Sequence, residues 1–269
     1  MDILLHLLAL ACYLLLGVHF WRSSRGATPS SSLWIEQLAC LVPLALHAAV
    51  LQQALFSSGV LRFGWGAAAS LTLWIAAVVY WLEHWQNRLA MLQMMVLPSA
   101  GIASLLPLAS PGSPIAYAQP GLFTAHFLVA MLAYALATMA ALHALLMAYV
   151  EKRLHERRFS RVLEGVPPLL AMESLLFRLI AVSFALLTLT LISGVVFSEE
   201  LFGRALRLDH KTIFALASWV IFGVLLAGRQ WRGWRGRTAL HWTLAGFLSL
   251  LLAYVGTHFV LETLLGRSA

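Results

Sequence analysis

The chain of 269 residues reads as an all-α integral membrane protein: a bundle of about eight transmembrane helices, both termini outside the cytoplasm. Three observations carry that expectation. Hydrophobic residues make up 61% of the sequence, too many to bury in one soluble core behind a polar surface. They come in continuous runs of about 20, the length a helix needs to cross a bilayer, without the alternation of barrel strands. Lys and Arg, finally, collect on alternate connections between those runs. A single polytopic membrane domain over residues 1–269 is expected.

The first run, 3–20, has no basic start and no small-residue cleavage site, so it is expected to stay as a helix and not to leave as a signal peptide. The second, 33–54, carries His47, and 67–83 follows it. In the fourth, 89–109, Pro98, Gly101 and Pro107 would kink or shorten a helix. The fifth, 121–150, opens with His126 and is long enough to protrude from the membrane at one end. After the sixth, 174–198, comes a polar patch, "SEELFGRALRLDHK", holding Glu199, Glu200, Arg204, Arg207, Asp209, His210 and Lys211, in a chain with only 11% charged residues. The seventh and eighth runs, 211–228 and 238–264, close the chain, with His258 near the end of the last. Cys12 and Cys40 lie inside predicted spans and form neither a Cys-x-x-Cys pair nor a haem-attachment motif. That excludes a thiol shuttle or a c-type cytochrome and leaves thiols packed among helices.

Orientation follows from the basic residues. One side receives Arg22, Arg25, Arg88, Lys152, Arg153, Arg157, Arg158, Arg161, Arg178, Arg229, Arg232, Arg235 and Arg237; the other receives Arg62, Arg204, Arg207, Lys211 and Arg267. The richer side is placed in the cytoplasm. The net charge of +7 is then mostly this asymmetry, which suits anionic lipid heads as partner and no nucleic acid. The polar patch falls on the outer surface. At about 1.5 Å of helix rise per residue, His47, His126, His210 and His258 reach one outer level from four helices, with His6 also on that side. His143 would lie about 25 Å from His126 and cannot share its site.

A histidine inside a membrane helix is costly unless it faces the protein interior with a partner, so His47 and His126 are candidates for function. The alternative is an imidazole donating to a nearby carbonyl. His210 and His258 sit at the water boundary, where solvated histidines are common. Imidazoles without thiolates suit axial ligation of haem iron, with Arg204, Arg207 and Lys211 to pair with propionates. A hydrated divalent metal would instead draw Asp209 and Glu200 into the cluster. The interleaving of bases with acids favours an anionic group such as a propionate.

The stretch from Leu208 to Leu265, "LDHKTIFALASWVIFGVLLAGRQWRGWRGRTALHWTLAGFLSLLLAYVGTHFVLETLL", resembles the C-terminal third of the CcsA-type cytochrome c assembly family, and more closely its smaller YpjD and HemX relatives. Asp209, Lys211, Ala215, Leu216 and Trp219 fall in register with the family's entry into a helix. Arg232 to Gly236 match its Arg-Gly-Trp-Arg-Gly turn, and Tyr254 and Gly256 its closing Tyr-x-Gly. His126, opening a helix that continues with Tyr134, corresponds to its first external histidine. The resemblance extends over residues 120–269. It departs from the family between Ser198 and Leu208, where no tryptophan occurs; the second external histidine would fall near Leu265 and the transmembrane one near Ala227.

The resemblance implies a bacterial inner-membrane protein that binds or conveys haem, expected as haem b, with no independent catalytic activity. His126 would ligate the iron, with His47 or His258 as second ligand; His210, Lys211, Arg204, Arg207 and Asp209 would surround the haem. Cytochrome c assembly or haem-synthesis proteins are the partners it implies. The alternative is a HemX-like regulatory or scaffold protein, without haem ligation, whose basic loop "EKRLHERRFSRVLEGVPP" meets a soluble partner.

Overall fold

The computed structural model of the chain describes residues 3–24, 33–56, 62–84, 90–110, 112–114, 122–156, 168–202 and 210–253. In chain order these form α1 (Ile3–Ser24), α2 (Leu33–Phe56), α3 (Trp65–His84), α4 (Ala90–Ala103), α5 (Leu106–Ala109), α6 (Leu122–His155), α7 (Leu169–Phe202), α8 (His210–Arg232) and α9 (Gly236–Leu251), with two-residue strands at Arg62–Phe63 and Ser113–Pro114. Six of these helices, α1, α2, α3, α6, α7 and α8, are long and apolar enough to cross a membrane. The chain is a multi-pass, all-α membrane protein.

Each of the eight predicted runs is helical where it is described. The fourth is divided: α4 ends at Ala103 and α5 starts at Leu106 with Pro107 in its first turn, the place where a proline's missing N–H costs a helix nothing. Both α6 and α7 run for 34 residues, well past the roughly 20 that a bilayer requires. The protrusion expected of the fifth run is therefore shared by the sixth.

The chain divides into two compact units, Met1–Gly112 with Leu145–Met172, and Ser113–Ala144 with Glu173–Ala269. In the first, α1 packs on α2 and α4, and α3 on α2, α4 and α5. Small residues set the approach of α1 to α4: a Cβ on Gly101 would lie 2.9 Å from that of Tyr13, and one on Gly17 3.2 Å from Pro98. The indoles of Trp74 and Trp81 donate to the carbonyls of Leu44 and Gln37, tying α3 to α2. Polar side chains line the interior of this unit, with His6, His47, Ser70 and Ser104 fully buried, while Leu4 and Leu15 point outward. Such an inverted distribution suits a lipid surround.

In the second unit the Ser183 hydroxyl donates to the Ala133 carbonyl and joins α7 to α6. Trp219 of α8 donates to Thr188 of α7 at 2.8 Å and stacks on Phe184. α9 lies against α8, where Ser218 donates to the Gly246 carbonyl, Ser249 to that of Phe214, and the Phe222 ring occupies the space a side chain at Gly246 would need.

Candidate functional site

His126 sits in the second turn of α6, half-buried. Its Nδ1 lies 2.8 Å from Ser193 Oγ on α7. That hydroxyl carries one proton and donates it to the Leu189 carbonyl at 2.7 Å, with the Thr190 carbonyl at 3.2 Å as its alternative. With that proton on a backbone carbonyl, Ser193 Oγ accepts from His126, an arrangement that puts the imidazole proton on Nδ1 and the lone pair on Nε2. A backbone-anchored hydroxyl holding one nitrogen fixes both tautomer and ring orientation, as the outer partners of metal-bound histidines do. Next in sequence to that serine, Gly194 faces the Cε1 edge of the ring, where a Cβ would stand 3.5 Å from it. Lys211, exposed in the first turn of α8, is close enough for its charge to act on the imidazole. Of the residues expected at one site, His126 and Lys211 are the two that lie within electrostatic reach of each other.

His210 is exposed at the start of α8. Arg204, Arg207, Asp209 and His258 lie outside the described residues. His47 belongs to the first unit and is engaged on both nitrogens: Nε2 with Ser70 Oγ at 2.8 Å and Nδ1 with Tyr13 OH at 3.4 Å, the Tyr13 and His47 rings meeting edge to face. Ligation of a metal through His47 would require one of these bonds to break. Among the described residues no three His, Cys, Asp or Glu side chains gather where they could hold a metal ion.

Two further features carry polar chemistry that sequence reasoning did not single out. His6, within electrostatic reach of His47, donates from Nδ1 to the Ser104 carbonyl at 2.5 Å. Its Nε2 is buried without a hydrogen-bond partner among the described groups. At the opposite end of the second unit from His126 in sequence register, Glu173 near the start of α7 pairs with Arg229 at the end of α8. Arg235 approaches the same carboxylate at 3.5 Å, and the Arg229 guanidinium lies 3.9 Å above the Phe177 ring. A lone acid opening an apolar run on the arginine-rich side was the available sign. For His6 the sign was an imidazole inside an apolar run, but its partner, 98 positions away, was not legible.

Comparison with known proteins places these residues in a wider setting. The family profile described as "Cytochrome C assembly protein" matches residues 34–265, from α2 onward. An "Uncharacterized 28.8 kDa protein in nifR3-like 5'region" of Azospirillum brasilense is 33% identical over 200 residues, 74% of this chain and 73% of that one. The "Inner membrane protein YpjD" of Escherichia coli is 34% identical over 143 residues, 53% of each chain. The "Cytochrome c biogenesis protein CcsA" of Gloeobacter violaceus is 34% identical over 93 residues, 35% of this chain and 28% of that one. The match thus spans about half of the E. coli protein and under a third of the cyanobacterial one.

Proposed function

Because the chain belongs to the cytochrome c assembly protein family, we propose that it is a haem-handling protein of the bacterial inner membrane, with His126 on the outer side as its iron ligand. The observation that supports this reading is the Ser193 hydroxyl beside His126 Nδ1: when Nδ1 donates to it, Nε2 carries the lone pair that a ligand to iron must offer. Haem b would supply an iron that takes an axial imidazole and propionates that pair with cations. Lys211 fits the second role, and Arg204, Arg207 and Asp209 precede it in sequence. The sequence offers His258 or His47 as a second ligand, and His47, which belongs to the other compact unit, is already bonded to Ser70 and Tyr13. The names of the E. coli and cyanobacterial relatives support an inner-membrane place and a link to cytochrome c biogenesis. The partners are then assembly or haem-synthesis proteins.

The test is an absorption spectrum of detergent-purified protein, oxidised and reduced, after growth with abundant haem. Wild type is expected to show a Soret band that His126→Ala shifts or abolishes, since loss of the imidazole changes the ligand field directly. His143→Ala, on the same helix and far along it, is expected to leave the band in place. Lys211→Ala should lower occupancy by fivefold or less, an exposed charge pair being worth about 1 kcal/mol at most, and keep the band's shape. An unchanged band in His126→Ala moves the ligand to His47 and His258. A wild type without haem overturns haem binding and leaves a scaffold acting through a partner.

A further inference from the structure

The turn joining α8 to α9 is held rigidly from several directions. Gly233 and Gly236 have φ of +65° and +53°, a region that glycine enters without a steric cost. Gly233 N–H donates to the Arg229 carbonyl and Trp234 N–H to that of Gly228, closing α8 in the manner of glycine-ended helices. The Trp234 ring lies so close over Gly228 that a Cβ there would come within 2.3 Å of it, and it rests 5.2 Å from Trp242. Arg229 is fastened to Glu173 and Phe177.

What this frame presents outward is one aromatic ring and a set of guanidinium groups. Trp231 is 83% exposed. Arg232 and Arg237 are exposed, and the Arg235 side chain is 63% exposed although its Nε touches Glu173. Glu173 pairs with Arg229 and touches Arg235 Nε, one carboxylate shared by two guanidinium groups, so this pair of arginines keeps a net positive charge. The patch also lies at the end, Arg232, of a helix long and apolar enough to cross a membrane, the level at which lipid headgroups would meet it.

We propose that the α8–α9 turn is a binding site for the headgroup of an anionic phospholipid, with Arg232 and Arg235 receiving the phosphate and Trp231 lying against the glycerol region. Guanidinium forks match phosphate oxygens in pairs, and an indole with one apolar and one polar edge prefers the interface between headgroups and acyl chains. A soluble phosphate would use the arginines but leave the exposed indole without a role. Because the turn is already fixed by its glycines, Trp234 and Arg229, binding orders little more of the backbone.

The experiment uses the full-length protein in detergent, titrated with phosphatidylglycerol or phosphatidylcholine, with bound lipid counted by native mass spectrometry. Phosphatidylglycerol is expected to bind preferentially, and Arg232→Gln with Arg235→Gln to weaken it about twenty-five-fold, at about fivefold per arginine near a membrane surface. Lys152→Gln with Arg178→Gln removes as much charge from other exposed positions and is expected to leave the preference intact. In nanodiscs, brominated phosphatidylglycerol should quench wild-type tryptophan fluorescence more than that of Trp231→Phe. Equal losses in both double variants would reduce the effect to bulk charge and overturn the site. So would a wild type indifferent to headgroup, quenching unaffected by Trp231→Phe, or displacement of the lipid by millimolar inorganic phosphate.

Discussion

A single hydroxyl separates the two imidazoles set in apolar helix. Ser193 Oγ lies against His126 Nδ1 and the carbonyls of its own helix, so that when its proton goes to the backbone it accepts from the imidazole, whereas His47 is bonded by Ser70 and Tyr13. Ser193→Ala should therefore remove the hydroxyl that holds His126 Nδ1 and weaken the preference for one tautomer. If His126 ligates haem, occupancy is expected to fall about tenfold, the lower end of the range for partners of a ligating histidine, with the Soret position unchanged because the ligand atom survives. Haem titration of the purified variant measures both. Ser193→Thr keeps the hydroxyl and should restore binding, and a Ser193→Ala protein that titrates like wild type removes the tautomer argument. The pairing was beyond sequence reasoning because nothing in "TLISGVVF" tells which of its polar residues turns toward another helix.

At the scale of elements, backbone approach governs α1 and α4. Tyr13 is fully buried and its Cβ lies where a methyl on Gly101 would have to go, at 2.9 Å. Gly101→Ala must therefore push these helices apart or displace Tyr13, a change expected to cost about 1–3 kcal/mol as overpacking does. The thermal midpoint of the detergent-solubilised variant, followed by fluorescence, should drop by several degrees; Gly233→Ala, where the added methyl meets nothing within 4 Å, would instead test positive-φ strain alone. Gly101 was noticed in the sequence as a helix weakener, and the structure gives it a packing role inside α4. Pro107 behaved as its chemistry demands, starting a new helix after the break at Ser104 and Leu105.

The whole molecule poses the question of which side faces the cytoplasm. Thirteen Lys and Arg on one set of connections against five on the other orient the chain with both termini outside, if the usual bias of cytoplasmic loops holds. A reporter active only outside the cytoplasm, fused after Ala269, is expected to work, and one fused after Arg161 to fail. The reverse pattern would turn the chain over and place His126 on the cytoplasmic side. Part of the basic count has a second use: Arg229 and Arg235 are engaged by Glu173, so their charge is partly spent within the fold before it acts on orientation.

Helix positions were legible in the amino-acid sequence because helix formation in a membrane depends on local quantities, namely the length of an apolar run, a proline, a stretch of arginines. His126 was noticeable too, since an ionisable group in such a run is costly wherever it turns. The contacts that give each histidine its chemistry were not. A helix that is apolar nearly all round carries little sign of which face meets its neighbours, so the rotation of α1 that sets His6 against Ser104, of α2 that sets His47 between Ser70 and Tyr13, and of α7 that points Ser193 at His126 came only from tertiary packing. Glu173 and Arg229, 56 positions apart, make the same point: their charges were visible along the chain, but only the packing of α7 against α8 joined them, because an ion pair depends on distance in space and a sequence records distance along the backbone.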